Sequence, residues 1–285
     1  MDQIQLRVCN LMKNDIFLSL TIIVALFVGG CVSSQKLAKK GAIRVPPEII
    51  GAFSPVRSKL FAMRARGFEE TGLSALYPKE VACDAMDSSF GSRYRGDGSL
   101  RSQKFYHGYH GGIDISVPEG TPIVAVAAGT VAAKHMGENI GGIAIILQHS
   151  PQDTGLPVWI YTEYKHLKEL PNLEIGQRVS MGERIALAGK TGTGGPHYGP
   201  EGHSHLHLTA WYSDNPGFIK GKMFLPKDGF WMDPLALFRG MPVDTKSVRE
   251  LPPGEKAVLI PYKTKEGRLV PENTSVVWPL ECSPR

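Results

Sequence analysis

Two short stretches of this chain carry side chains that could hold a metal ion. His110-Gly-Gly-Ile-Asp114 sets an imidazole and a carboxylate four residues apart, and His205-Leu206-His207 sets two imidazoles two apart. Side chains alternate along an extended strand with a period of two, so each pair would aim at one face. Tyr164-Lys165-His166-Leu167 would bring Tyr164 and His166 to one face in the same way. Two imidazoles and one carboxylate make a common zinc set that leaves one position open for water. Zinc held there would acidify that water and polarise a carbonyl. The chain has no HExxH helix, so the general base of such chemistry is not that motif's glutamate. A second pair of imidazoles near the metal could serve instead.

The elements that must position these residues read as short strands. From about residue 85 the chain shows β-branched runs (ISV, PIVAVAA, GTVAAK, GIAIILQH, VWIYTEYKHL, HLHLTAWY) separated by Gly- and Pro-containing turns. That pattern predicts a mostly antiparallel sheet protein with short hairpins and few short helices. After Asp233-Pro234-Leu235 a short helix (LALF) is expected, then a polar tail with two candidate strands, AVLIPY and SVVWPL. Pro46, Pro47, Pro55 and the low apolar periodicity up to Ser58 suggest a tether, with a short helix near Lys59 to Gly67.

HGGID, YKHL and HLHL, in this order, resemble the motifs of the lysostaphin-type (LytM-like) zinc metalloendopeptidases. The flanking text agrees: FGSRY, DISVPEGTPIVAVAAGTV, GQRVSMGERIALAGKTGTGG and MDPLALF. The resemblance covers about residues 88 to 238. HxxxD and HxH are each weak signals alone; three motifs in order with the intervening glycine-rich turns are a strong one. The resemblance implies a narrow groove ringed by loops, with His110, Asp114 and His207 holding one Zn2+ per chain. It implies that His166 and His205 are the catalytic imidazoles. One would help deprotonate the attacking water and the other would stabilise the tetrahedral oxyanion, in an order the sequence leaves open. Tyr164 would line the groove. Peptidoglycan stem or cross-link peptides are the implied substrate. One departure stands out. Relatives run directly from the TG turn into HLH, whereas TGTGGPHYGPEGHSHLHL carries an extra stretch with His197 and His203. HSH shares strand parity with HLH and could replace it; Leu206 and Leu208 at core-facing positions favour 205/207.

The N-terminus reads as an address. Ile16 to Val28 is an apolar run preceded by Lys13 and followed by Gly29, Gly30 and Cys31. It is shorter than the roughly 20 apolar residues a membrane span needs and fits a secretory signal. Val28-Gly29-Gly30-Cys31 resembles a bacterial lipobox, which makes Cys31 the lipidated residue; a buried core helix is the alternative. Met12 is a second candidate start. With no Asp after the Cys, the expected place is the outer membrane facing the periplasm of a Gram-negative cell. The expected layout is a signal over 1–30, a lipidated tether over 31–82, the peptidase domain over 83–240 and a C-terminal extension over 241–285. In an oxidising compartment Cys83 and Cys282 could pair; free thiols are the alternative.

Bulk properties narrow the partners. The 285 residues carry 32 Lys plus Arg against 27 Asp plus Glu, a net charge of +5, which suits an anionic partner. There is no long run of like charge and no aromatic-spaced basic stripe, which argues against nucleic acid. A monomer is the default expectation. Tyr106, Tyr109, Trp211, Tyr212 and Trp231 read first as packing, and Arg93 and Arg95 first as a solvated face. His107, His135, His149 and His197 read as structural. The rival functions are a quiet cell-wall-binding regulator that activates amidases, and a peptidase acting on a protein.

Overall fold

The computed structural model describes residues 45–137, 141–221 and 223–285. The signal and lipidation residues, Cys31 among them, lie outside the described residues. Residues 45–285 form one compact unit.

Seven strands make the main sheet: β1 (Ile113–Ser116), β2 (Gly129–Met136), β3 (Ile143–His149), β4 (Trp159–Lys165), β5 (Arg178–Val179), β6 (His205–Ser213) and β7 (Phe230–Met232). Their order is β7-β6-β4-β3-β2-β5, with β1 beside the first half of β6, and every pairing is antiparallel. The fold is mostly β, as the strand pattern predicts. Strand β3 is a nearly continuous apolar run because both of its faces are covered: Ile145, Ile146 and Leu147 are fully buried, as are Leu206 and Leu208 of β6.

One face and edge are covered by residues expected to be tether. Helix α1 (Pro47–Phe53) starts on a proline, where a missing N–H costs nothing, and α2 is Leu60–Ala65. Phe53 and Phe68 pack on Trp231 of β7 at 5.5 and 4.6 Å between ring centres, and the indole N–H donates to the Ala52 carbonyl at 3.0 Å. Truncating an aromatic buried like Phe53 costs about 3–5 kcal/mol, so this segment is structural. The expected tether over 31–82 is therefore corrected: from Val45 onward the chain belongs to the folded body. Its apolar residues are spread thinly between prolines, which hides them from a periodicity search.

The C-terminal residues are likewise part of the core. After a short α3 (Pro151–Thr154), α4 (Pro234–Arg239) is capped by the Asp233 carboxylate, which accepts from Leu235 N–H. The last α-helix, α5 (Thr245–Glu250), follows. Ala257–Leu259 pairs in parallel with Ser74–Leu76. SVVWPL is not a strand; Val277 N–H donates to the Val126 carbonyl at 2.7 Å, Val124 N–H donates to the Pro279 carbonyl at 2.8 Å, and Trp278 is fully buried. Cys83 and Cys282 are joined by a disulfide, beside a two-residue antiparallel ladder of Val81–Ala82 with Ser283–Pro284.

Candidate metal centre

Strand register assembles the ligands. In the β1–β6 ladder His207 lies directly opposite Asp114, so the two side chains meet on the same face. His110 reaches them from the loop before β1. That approach depends on Gly112: a Cβ there would sit 2.2 Å from the Leu208 carbonyl oxygen and 3.0 Å from His207 Nε2. Only glycine lets the loop lie this close to β6.

Three donor atoms converge. His110 Nε2 is 3.0 Å from Asp114 Oδ1 and 3.1 Å from His207 Nδ1, and the last two atoms are 2.8 Å apart. Among the described residues this is the group of His, Cys, Asp and Glu side chains that could hold a metal ion. The tautomers fit that role. His110 Nδ1–H donates to the Ser89 carbonyl at 2.9 Å and His207 Nε2–H to Thr209 Oγ1 at 3.0 Å, which leaves the inward nitrogens bare. The donor set and its outer hydrogen bonds therefore fit a zinc ion.

The two remaining imidazoles are held in the same manner. His166 Nδ1–H donates to the Thr191 carbonyl at 2.8 Å, and His205 Nδ1–H to the His203 carbonyl at 3.0 Å. Both bare Nε2 atoms belong to rings beside the ligands: the His166 ring lies 4.6 Å from that of His205 and 5.8 Å from that of His207. His205 Nε2 is 3.6 Å from Asp114 Oδ1. His166 follows the last residue of β4 with φ 61°, a left-handed backbone that turns its ring out of the strand's alternation. Tyr164, still within the strand, is fully buried, and its hydroxyl accepts from Val126 N–H at 2.9 Å. The expectation that Tyr164 lines the groove is corrected: parity put it beside His166, and the backbone turn separates them.

Burial sets the charges. His110 and His207 are shifted down from the ordinary histidine value, chiefly by loss of solvent, although Asp114 pulls the other way. Burial also pushes His166 down to about 3, with the neighbouring His205 adding to the effect. Burial alone would raise the Asp114 carboxyl, yet His110 and His207 together hold it well below the carboxylate range. The site is thus set up as neutral imidazoles around one carboxylate, the form in which these groups bind a cation.

The extra stretch lies across this centre. Tyr198 stacks on His203 at 5.1 Å, His203 on His205 at 5.5 Å, and His203 Nε2 is 2.9 Å from Ser116 Oγ. His197 Nε2 pairs with Asp97 at 3.1 Å, and the Arg95 guanidinium sits 5.9 Å from the Tyr198 ring centre. His110, Asp114 and His205 are only 2%, 6% and 5% exposed. His203 points to Ser116 outside the ligand group, so the HLH pair, and not HSH, faces the centre. Of the other histidines, His149 is a buried structural residue between the Ala128 carbonyl and Thr162 Oγ1, and His107 bonds to the Ser58 carbonyl. Sequence reading missed Thr209, Arg101 and the carbonyls of Ser89, Thr191 and His203. Main-chain acceptors have no residue signature, and Arg101 sits in a polar turn with nothing to distinguish it from Arg93 or Arg95.

Residues 108–217 match the model of peptidase family M23. An uncharacterized metalloprotease of Haemophilus influenzae is 39% identical over 95 residues, 33% of this chain and 18% of that protein. One from Buchnera aphidicola is 33% identical over 122 residues, 41% of this chain and 28% of that protein. The chain thus spans less than a third of either relative. Among solved structures, LytU is 26% identical, covering 46% of this chain and 74% of that one, with a TM-score of 0.35. The catalytic domain of lysostaphin from Staphylococcus simulans is 23% identical, covering 45% and 77%, with a TM-score of 0.31.

Proposed function

We propose that the chain is a zinc-dependent endopeptidase that hydrolyses peptide bonds in peptidoglycan. The observation that carries this is the convergence of His110 Nε2, Asp114 Oδ1 and His207 Nδ1 beside two further imidazoles whose Nε2 atoms are bare. His110, Asp114 and His207 would hold one Zn2+, which when bound supplies Lewis acidity to the scissile carbonyl. One of the two bare Nε2 atoms, that of His166 or that of His205, takes the proton of the attacking water. The oxygen adds to the carbonyl carbon, the C–N bond breaks, and the same proton passes from Nε2 to the departing amine nitrogen. The other imidazole faces the oxyanion between those events and stabilises it by donating a hydrogen bond. The Nδ1 contacts of both rings to main-chain carbonyls fix their orientation throughout.

The lipobox-like Cys31 supports a chain anchored by lipid in the outer membrane and facing the wall, with a monomer as the default state. In that setting the D-alanine–diamino acid cross-link is the proposed bond. The test is release of amino groups from purified cross-linked peptidoglycan, with fragments weighed by mass spectrometry. Wild type should release them, and His205→Ala and His166→Ala should not. The stretch across the centre favours a second reading, a regulator whose own site stays closed. Zinc binding with no release by wild type, together with stimulated release when an amidase is added, would select it.

A further inference from the structure

Arg101 lies in the turn between Arg93 and the first ligand. Its backbone N–H donates to the Arg93 carbonyl at 2.9 Å, closing a tight loop in which Arg95 N–H donates to the Ser99 carbonyl and the Asp97 carboxylate accepts from Ser99 N–H, both at 2.9 Å. From this support the guanidinium reaches inward. One of its terminal nitrogens donates to Asp114 Oδ2 at 2.8 Å and to Ser88 Oγ at 2.6 Å, and Nε donates to the Tyr94 carbonyl at 3.4 Å. The pair is largely buried, with side-chain exposures of 17% and 8%. The two oxygens of Asp114 are therefore divided: Oδ1 faces His110 and His207, and Oδ2 faces Arg101. A carboxylate free at both oxygens could rotate or chelate through both.

We propose that Arg101 is the positioning residue for Asp114, occupying Oδ2 so that Oδ1 alone is presented to the metal. This rests on the metal-centre reading above. It assigns a role to a charge that the ligand motifs do not contain. Ser88 belongs to the same device, because its hydroxyl accepts from Arg101 and its carbonyl accepts from Asp114 N–H at 3.0 Å. The partners of a ligating side chain commonly matter at about 10–100-fold in metal affinity. Lysine could keep the charge but not the planar fork that spans Asp114, Ser88 and Tyr94.

The experiment titrates the metal-free full chain with Zn2+ against a chelator of known affinity, for wild type, Arg101→Gln and Arg101→Lys, and records the visible spectrum of each with Co2+. Arg101→Gln should bind Zn2+ about 10–100-fold more weakly, and Arg101→Lys should fall between it and wild type. The Co2+ bands of Arg101→Gln should lose intensity as Asp114 takes a second coordination position. Far-UV circular dichroism confirms that each variant is folded; should Arg101→Gln fail to fold, Arg101→Lys decides by the same two readouts. Wild-type affinity and a wild-type Co2+ spectrum in a folded variant would overturn the role of Arg101 while leaving the metal centre intact. Failure of wild type itself to bind Zn2+ would instead overturn the metal-centre reading and this inference with it.

Discussion

Acid should unfold this protein partly through one histidine that never touches the metal centre. His149 is fully buried; its Nδ1 is 2.7 Å from the Ala128 carbonyl and its Nε2 2.8 Å from Thr162 Oγ1. Burial lowers its pKa from 6.5 to about 4, with the Ala128 contact and Asp153 resisting. The unfolded chain therefore binds this proton first as pH falls, so stability is intact above about pH 6.5 and is lost progressively toward pH 4. Between pH 7.5 and 4.5 the loss from this group is about 2.5 kcal/mol, from 1.36 kcal/mol per pKa unit. Asp233, raised to about 6 by burial, works in the opposite direction over the same range, and His166 works in the same direction as His149. The wild-type curve is their sum. Comparison with His149→Gln isolates the one group: whatever constant stability the variant loses, its deficit relative to wild type should shrink by about 2.5 kcal/mol on going from pH 7.5 to 4.5. Urea unfolding of chelator-treated protein, followed by tryptophan fluorescence, reads this as a relative shift of about 1 M in midpoint. A deficit equal at the two pH values would refute the reasoning.

Replacing Thr209 by Val removes the acceptor for His207 Nε2–H and lets the proton move to Nδ1, the metal-facing atom. Zinc affinity by chelator competition should drop about 10–100-fold, with Thr209→Ser near wild type, and equal affinities would contradict the tautomer argument. Gly112→Ala drives a Cβ to 2.2 Å from the Leu208 carbonyl oxygen, so it should cost about 1–3 kcal/mol and weaken zinc binding. A variant that melts and binds zinc like wild type would show that the loop can move aside. Tyr198→Ala deletes the stack on His203, worth about 0.5–1.5 kcal/mol, and should raise turnover of intact cross-linked wall about 2–10-fold while leaving a short soluble peptide unchanged. Slower turnover of both substrates would mean that Tyr198 serves the chemistry and not the cover.

The strand content, and the drawing together of His110, Asp114, His166, His205 and His207, were legible because each is written as a local pattern. Leu206 and Leu208 mark which face of β6 is core, and the two-residue spacing of His205 and His207 then follows. What was not legible lies in contacts that leave no mark on residue type. Tyr164 was misplaced because period-two parity assumes a continuous strand, and His166 at φ 61° ends it. Val45 to Leu73 looked like linker because Phe53, Met63 and Phe68 are too widely spaced for a periodicity, although each is buried. SVVWPL looked like a strand from composition; it is held instead by single backbone bonds to residues 124 and 126. Arg101 became visible only when the fold set its guanidinium against Asp114.

The bond between Cys83 and Cys282, 199 positions apart, makes a closed covalent circle of most of the chain. Every strand of the main sheet and every side chain of the metal centre lies inside that circle. A single cut in any outer loop, the stretch around His197 included, opens the circle without parting it into two molecules. The nicked protein would keep its full mass on a non-reducing gel and separate into two fragments only with reductant. Exposed to foreign proteases, such a molecule survives its first wound in one piece, and a second cut within the circle is needed before any fragment can leave.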